Sequence, residues 1–578
     1  MTQQARRIRK REDPFRTLVR YFVKRVFAND DEQGSGSTNL GVGAVLAILA
    51  SPGAFASIFL MDKYSTLLQW FRGQKSFNPY RASIADEYFF VVLSMTITGL
   101  VMVLRWNRLL PDRRDFANLA ILPIPIRNIF LANFTGLFGL ALVFGIDVNA
   151  VSSFLFPVFV TVSDGSFSAF ARIAIAHAAA VFSASLFSFF AVFALVGVLM
   201  AVLPSRLFRP VSVAVRMLLV VVLLSGFLSN LFLQLFAGRL PHLREVYMRW
   251  LPAYWFLGIY EKAAGLANAR MSSLASEALT ALLAAIAVAI AAYTLCYRRH
   301  FLRLAESLDL LGSARRGFRI PLPQVAAKRL FRSEFERGCH GFMWKVLLRS
   351  ERHLMFAGGY LGIGLVMAAQ TAADGALPAL RQALPGNAWL APAFILAFFA
   401  VTALRFAFDL PASFEANWAF RITTDDASAR PDTIARRFLL WAILPWEVLV
   451  VGGVTAQRFG WVIAGEHVAT LAIMTVLLID AVLIGFHKIP FTCSKQLETR
   501  QLLLRISTCV LGVLVVVPML AQFERWMLQQ PARFAVLAAL SAGAWYALRR
   551  HKRGMLPAEH TVIFEEQSSA ALELLKLV

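Results

Sequence analysis

Charge is scarce in this chain. Asp, Glu, Lys and Arg together make up 16% of its 578 residues, against about 25% in an ordinary soluble domain. Cysteine is rarer still, at four residues. Cys296, Cys339 and Cys493 lie on or beside basic connecting segments, and Cys509 lies near the end of an apolar run. This placement suits thiols kept reduced, and their spacing matches no metal-ligand pattern, so no metal site is expected. The sequence contains no GxxxxGK(S/T) phosphate loop. It also has neither an HExxH nor a GxSxG signature, so no catalytic residues and no cofactor are assigned. Its first 39 residues are basic and polar, without the apolar core of a cleavable signal, and are expected to stay in the cytoplasm.

What the chain has in abundance is apolar surface. Hydrophobic residues make up 58% of it, and Phe alone occurs 49 times. Water cannot solvate that much hydrocarbon, whereas a bilayer can. A helix needs about 20 apolar residues to cross the hydrocarbon core. Runs of this kind fall at 40–61, 86–104, 129–146, 173–202, 211–237 and 274–296, and again at 354–370, 389–408, 439–456, 468–486, 506–521 and 534–548. The fold expected is all-α, a polytopic integral membrane protein of about 12 transmembrane helices. Residues 148–162 are also apolar and either extend the third span or form a re-entrant turn.

The net charge of +23 excludes little by itself. Nucleic-acid binding would need a basic module or face, and none is recognisable. The Lys and Arg residues instead fall in alternate loops. The loops assigned to the cytoplasm are roughly threefold richer in them than the loops assigned outside. The bias predicts an inner-membrane protein with both termini cytoplasmic.

The order of elements repeats. Each half opens with an amphipathic stretch, "PFRTLVRYFVKRVFA" and "HGFMWKVLLRSERH", of the kind that lies in a lipid interface. The long loops begin alike, with "RWNRLLP" at 105–111 and "RFAFDLP" at 405–411, followed by "ANLA" and "ANWA". The expected organisation is a cytoplasmic segment 1–39, a six-helix half 40–296, a linker with an interfacial helix 297–353, a second six-helix half 354–548 and a tail 549–578. Repeats of this kind are common in transporters.

The stretch "LLPDRRDFANLAILPIPIRNIFLANF", residues 109–134, is the most specific. Asp112, Arg113, Arg114 and Asp115 make a mixed-charge face beyond Pro111, next to an apolar ridge. Pro123 and Pro125 cannot continue a regular helix, so the segment reads as a stiff knuckle suited either to docking on a soluble partner or to snorkelling at the interface. The stretch resembles the cytoplasmic loop of type-2 ABC exporter permeases, with Leu122, Pro123, Pro125, Arg127 and Ala132 on the matching positions and Asn133 where the family usually has Lys. The resemblance implies a coupling helix that docks on a separate ABC ATPase, and hence an exporter permease subunit. It leaves the cargo and the oligomeric state open, a fused single-chain permease or a homodimer. "LPAYWFLGIYEKAAG", residues 251–265, resembles the outer-side re-entrant or interfacial helices of the same permeases. Trp250, Tyr254, Trp255 and Tyr260 there are expected to anchor at headgroup level.

Two acids fall inside apolar runs, Glu447 and Asp480. Intramembrane carboxylates are functional candidates by default. If their helices pack together, the two carboxyls approach one another; the other reading is that each is satisfied by nearby polar groups. The first half shows no equivalent acids. Two other functions stay open: a proton-coupled secondary transporter using Glu447 and Asp480, and a non-transporting membrane scaffold or assembly factor.

Overall fold

The computed structural model describes residues 14–27, 42–64, 78–106, 109, 124–236, 250–296, 333–379, 384–412, 417–423, 431–486, 488–493 and 512–554. Every regular element among them is helical, and the chain divides near Arg315 into two compact units. Nine helices among the described residues are long and apolar enough to cross a membrane. The chain is therefore an all-α, multi-pass membrane protein. The remaining three expected spans fall on helices Val42–Tyr64, Val517–Leu528 and Phe534–Gly554, which do not meet those criteria over described residues.

The first unit holds α1 (Pro14–Phe27), α2 (Val42–Tyr64), α3 (Pro79–Leu104), α4 (Ile126–Thr161), α5 (Phe167–Val202), α6 (Ser205–Phe236), α7 (Pro252–Ala264) and α8 (Ala269–Cys296). The amphipathic face of α1 is not left to lipid: Leu18 and Phe22 are buried with Ile129 and Ala132 of α4. Helix α3 begins earlier than hydropathy suggests. Asn78 caps it by accepting from the backbone N–H of Tyr80 and Arg81, and Pro79 occupies the first turn, where its missing N–H costs nothing. This moves Asp86 and Glu87 two turns inside the helix. Residues 148–162 form no re-entrant turn, because α4 continues to Thr161. At 36 residues each, α4 and α5 are about 54 Å long, well beyond the roughly 30 Å hydrocarbon core.

Helix α3 sits at the centre of this unit and packs on α2, α4, α5, α6 and α7. The alternating chain direction brings the end of α2, the start of α3, the end of α4, the start of α5 and the short α7 to one end of the unit. The opposite end carries α1, the start of α4 and the end of α8, where Asn133 donates to the Tyr293 hydroxyl (2.9 Å).

The second unit holds α9 (Glu334–Arg349), α10 (Glu351–Ala379), α11 (Asn387–Ala407), α12 (Asn417–Thr423), α13 (Pro431–Trp446), α14 (Gly452–Phe459), α15 (Trp461–Val482), α16 (Val517–Leu528) and α17 (Phe534–Gly554). Two π-helical segments interrupt it, Glu447–Val451 between α13 and α14 and Gly512–Val516 before α16. Each stands beside a proline, Pro445 or Pro518. Such segments mark places where the regular ladder has been displaced, frequently at functional sites. Gly460 reverses the chain between α14 and α15 in a single residue at φ +92°, a conformation that only glycine adopts without strain. Ser333 caps α9 by accepting from the Glu336 N–H. Cys339, Met343 and Leu347 of α9 join Phe408, Phe438 and Phe491 in one buried cluster.

Candidate functional site

Charged and polar side chains inside a membrane helix bundle are costly unless paired. The first unit places several at one end, packed around Phe90 and Phe156. Asp86 accepts from Lys63 Nζ through both carboxylate oxygens (2.7 and 2.8 Å) and from the Tyr64 hydroxyl. The next residue, Glu87, points at a different helix: its Oε2 lies 2.6 Å from His177 Nδ1 of α5. On its far side His177 Nε2 is 3.3 Å from Ser152 Oγ of α4, and Ser152 donates to the Asn149 carbonyl (3.0 Å). Glu87 and His177 are fully buried, and Glu87 Oε1 has no hydrogen-bond partner among the described residues. Ser83 and Tyr260 share a hydrogen bond (2.8 Å) beside them.

From this pair a polar track follows the junction of α3, α4 and α5. Asn149 donates to Ser185 (3.2 Å), and Ser185 bonds both Ser94 and Thr98 (2.8 Å each). Hydrogen bonds of this kind hold membrane helices together where the hydrophobic effect cannot.

The second unit contains a similar pair built from other helices. His467 Nδ1 of α15 lies 2.8 Å from Glu524 Oε1 of α16, both buried. Glu524 Oε2 again has no partner among the described residues. Near it, Glu447 opens the first π segment; Thr475 donates to its Oε1 (2.6 Å), while its Oε2 has no partner among the described residues. His467 interacts electrostatically with Glu447 as well.

Glu447 and Asp480 are not each other's partners. Asp480 accepts from Arg436 Nε (2.5 Å) and Nη2 (3.3 Å) on α13, so its charge is answered at the end of the unit that also carries α9. That end is dense in ion pairs. Arg437 reaches Glu336 (2.5 Å), and Lys552 reaches Asp432 (2.6 Å). Asp409 is shared by Arg405 (3.0 Å) and Lys488 (2.8 Å). Burial works to raise the Asp409 carboxyl, but the Arg405 and Lys488 charges outweigh it and hold it below the ordinary range.

The reading that the first half holds no intramembrane acids is overturned by Asp86 and Glu87. Hydropathy begins the second span at Asp86 itself, so both acids fall at its edge; the Asn78–Pro79 start signal is the clue that the helix is longer.

Of the loop residues singled out by sequence, Pro111, Asp112, Arg113, Arg114, Asp115, Leu122 and Pro123 lie outside the described residues. Pro125 is the N-cap of α4, and Arg127 is exposed on its first turn. Both roots of this loop are described and anchored. Trp106 and Leu109 are buried, the Arg216 guanidinium lies over the Trp106 ring, and Asn133 donates to the Leu109 carbonyl (3.4 Å). On the other side Ile124 packs against the α1 cluster.

The aromatic segment forms the 13-residue helix α7, too short to span. Trp250 is exposed and Trp255 half-buried, while Tyr254 and Tyr260 are buried inside the unit. Burial raises the Glu261 carboxyl on the same helix to about 7.

Among the described residues no group of three His, Cys, Asp or Glu side chains is placed to hold a metal ion. No family model, curated protein or solved structure matches this chain.

Proposed function

We propose that this chain is the membrane permease of an exporter, driven by a separate ABC-type ATPase that docks on the loop 105–128. The observation that carries the reading is the anchoring of that loop. Its first root is buried through Trp106 and Leu109, and its second, at Ile124, packs on α1. A loop fixed at both roots transmits force to the helices it joins, α3 and α4, which line the polar interior of the first unit. Asn133 replaces the Lys usual at that position of the type-2 permeases, and its contacts with Leu109 and Tyr293 give it a structural task here. The coupling is a population shift between two states, biased by ATP binding to the partner. The loop and the termini face the cytoplasm, on the bias of Lys and Arg.

The test is affinity purification in mild detergent, with stoichiometric partners identified by mass spectrometry. A co-purifying subunit with a phosphate-loop motif, lost when Asp112, Arg113, Arg114 and Asp115 are replaced by Ala, supports the reading. Repeated recovery of the chain without such a subunit, under conditions that preserve a control ABC complex, refutes it.

A further inference from the structure

We propose that each unit carries a proton-binding site within its helical bundle, formed by His177 with Glu87 in the first and by His467 with Glu524 in the second. The proposal does not depend on which engine drives the chain.

The hydrogen-bond directions in the first unit lead to it. The Ser152 hydroxyl has one proton, and it is directed to the Asn149 carbonyl (3.0 Å). With that proton on the carbonyl, the shorter of its two contacts, Ser152 Oγ accepts from His177 Nε2 (3.3 Å), and the tautomer we assign to the pair carries a hydrogen on Nε2. On the other side of the ring, Nδ1 and Glu87 Oε2 are 2.6 Å apart, a separation that needs a hydrogen between them. With Nε2 already protonated, that hydrogen makes the pair either imidazolium–carboxylate or imidazole–carboxylic acid. Both descriptions contain one proton more than a neutral imidazole beside a bare carboxylate.

Charge counting gives the same answer independently. Among the described residues, the charged and titratable groups around the pair are Lys63 and Tyr64 on α2, Asp86 on α3, and Tyr260 and Glu261 on α7. Lys63 is already committed to Asp86 (2.7 Å). Among the described residues no other cation is placed against Glu87, and its Oε1 has no partner. A bare buried carboxylate so placed would be strongly disfavoured; one bound proton removes the excess charge.

The second unit reaches the same chemistry with different helices. His467 faces Glu524 at 2.8 Å, with Glu447 and Glu466 as the neighbouring acids. One imidazole stands among more carboxylates than it can neutralise. Glu524 Oε2 and Glu447 Oε2 are buried without partners among the described residues, so this site too is completed by a bound proton. In both units the histidine lies early in the helix that follows a hairpin reversal, α5 or α15, at the end opposite that unit's amphipathic helix. In the first unit the Ser152–Asn149–Ser185–Thr98 track leads from the pair toward the other end.

The test is infrared difference spectroscopy of the full chain in lipid nanodiscs, between acidic and alkaline buffer. The expected result is a protonated-carboxyl band that disappears on alkalinisation, is reduced in Glu87→Gln and in Glu524→Gln, and is further reduced in the double variant. A band of undiminished size in the double variant, together with histidine ¹⁵N signals of the unaltered protein that stay constant across the same pH range, overturns the proposal. So does a band abolished by sodium chloride at constant pH, which would assign the sites to a metal cation. Should a Gln variant fail to fold, histidine ¹⁵N spectra of the unaltered protein decide the matter. Two imidazoles whose ring nitrogens change state together with the carboxyl band support the proposal, and buried imidazoles that stay constant across the pH range refute it.

Discussion

His177 Nδ1 and Glu87 Oε2 meet 2.6 Å apart between α5 and α3, with both side chains wholly buried. The neighbouring Asp86 is bound to Lys63, so two consecutive carboxylates on one helix are held by two different helices. Pairing of this kind fixes the rotation of α3 relative to α2 and α5. A one-residue slip of the helix would strand both acids, and each stranded charge costs several kcal/mol.

That arrangement makes the two obvious substitutions at Glu87 behave differently. Glu87→Gln keeps the shape and hydrogen bonding of a protonated carboxyl, and its stability is expected within about 1 kcal/mol of the parent. Glu87→Ala leaves His177 Nδ1 without its partner and opens a void, costing about 2–4 kcal/mol. Thermal unfolding in detergent, followed by loss of the monodisperse elution peak, distinguishes them. Equal losses for both variants would show that the pair depends on a full negative charge.

Much of the architecture was legible from hydropathy, because apolar length is what a bilayer selects. Helices α5, α11 and α15 lie close to where 20-residue apolar runs put them. The candidate site was much less so. Asp86 and Glu87 depress local hydropathy at the start of α3, and only the Asn78–Pro79 cap shows that the helix starts two turns earlier. His177 and His467 sit 90 and 57 residues from their carboxylate partners, and no local spacing encodes contacts at that distance. Glu447 was visible as a lone acid in an apolar run, but the π segment it opens depends on how the helix accommodates Pro445 among its neighbours.

The Arg436–Asp480 contact (2.5 Å) is a partly exposed ion pair near one end of α13 and α15. We expect Asp480 to serve as a fastening for that end. Asp480→Asn should cost no more than about 1 kcal/mol, since solvent screens what remains. A double-mutant cycle with Arg436→Gln should return a coupling energy of similar size. A coupling of several kcal/mol would mean that the pair is shielded from solvent in the membrane.

Glu261 on α7 gives a pH dependence with a definite sign. Burial raises its carboxyl from 4.5 to about 7, so the folded chain binds its proton more tightly than the unfolded chain does. Its contribution is most favourable below the unfolded value of 4.5 and declines as pH rises through about 7. Glu261→Gln should flatten that part of the stability–pH curve and leave the variant the more stable of the two in alkaline buffer. Melting temperatures of parent and variant across this range check it. Parallel curves would show that Glu261 reaches solvent.

Gly258 tests how α7 is seated. A Cβ at this position would lie 2.6 Å from the Met271 carbonyl and 2.8 Å from the Ala275 amide nitrogen. Both are backbone atoms of α8, so no side-chain rotation relieves the contact. Gly258→Ala must therefore push α7 away from α8, and overpacking of this kind costs about 1–3 kcal/mol. The displacement would also draw Tyr260 from Ser83, their hydroxyls being 2.8 Å apart, and loosen the polar cluster from the α7 side. We expect lower thermal stability together with a changed titration of the carboxyl band assigned to Glu87. Gly139, whose Cβ would meet nothing within 4 Å, supplies the control, since Gly139→Ala should be neutral or slightly stabilising through its better helix propensity. If Gly258→Ala were as benign as Gly139→Ala, the close approach of α7 to α8 would not be a property of the folded protein.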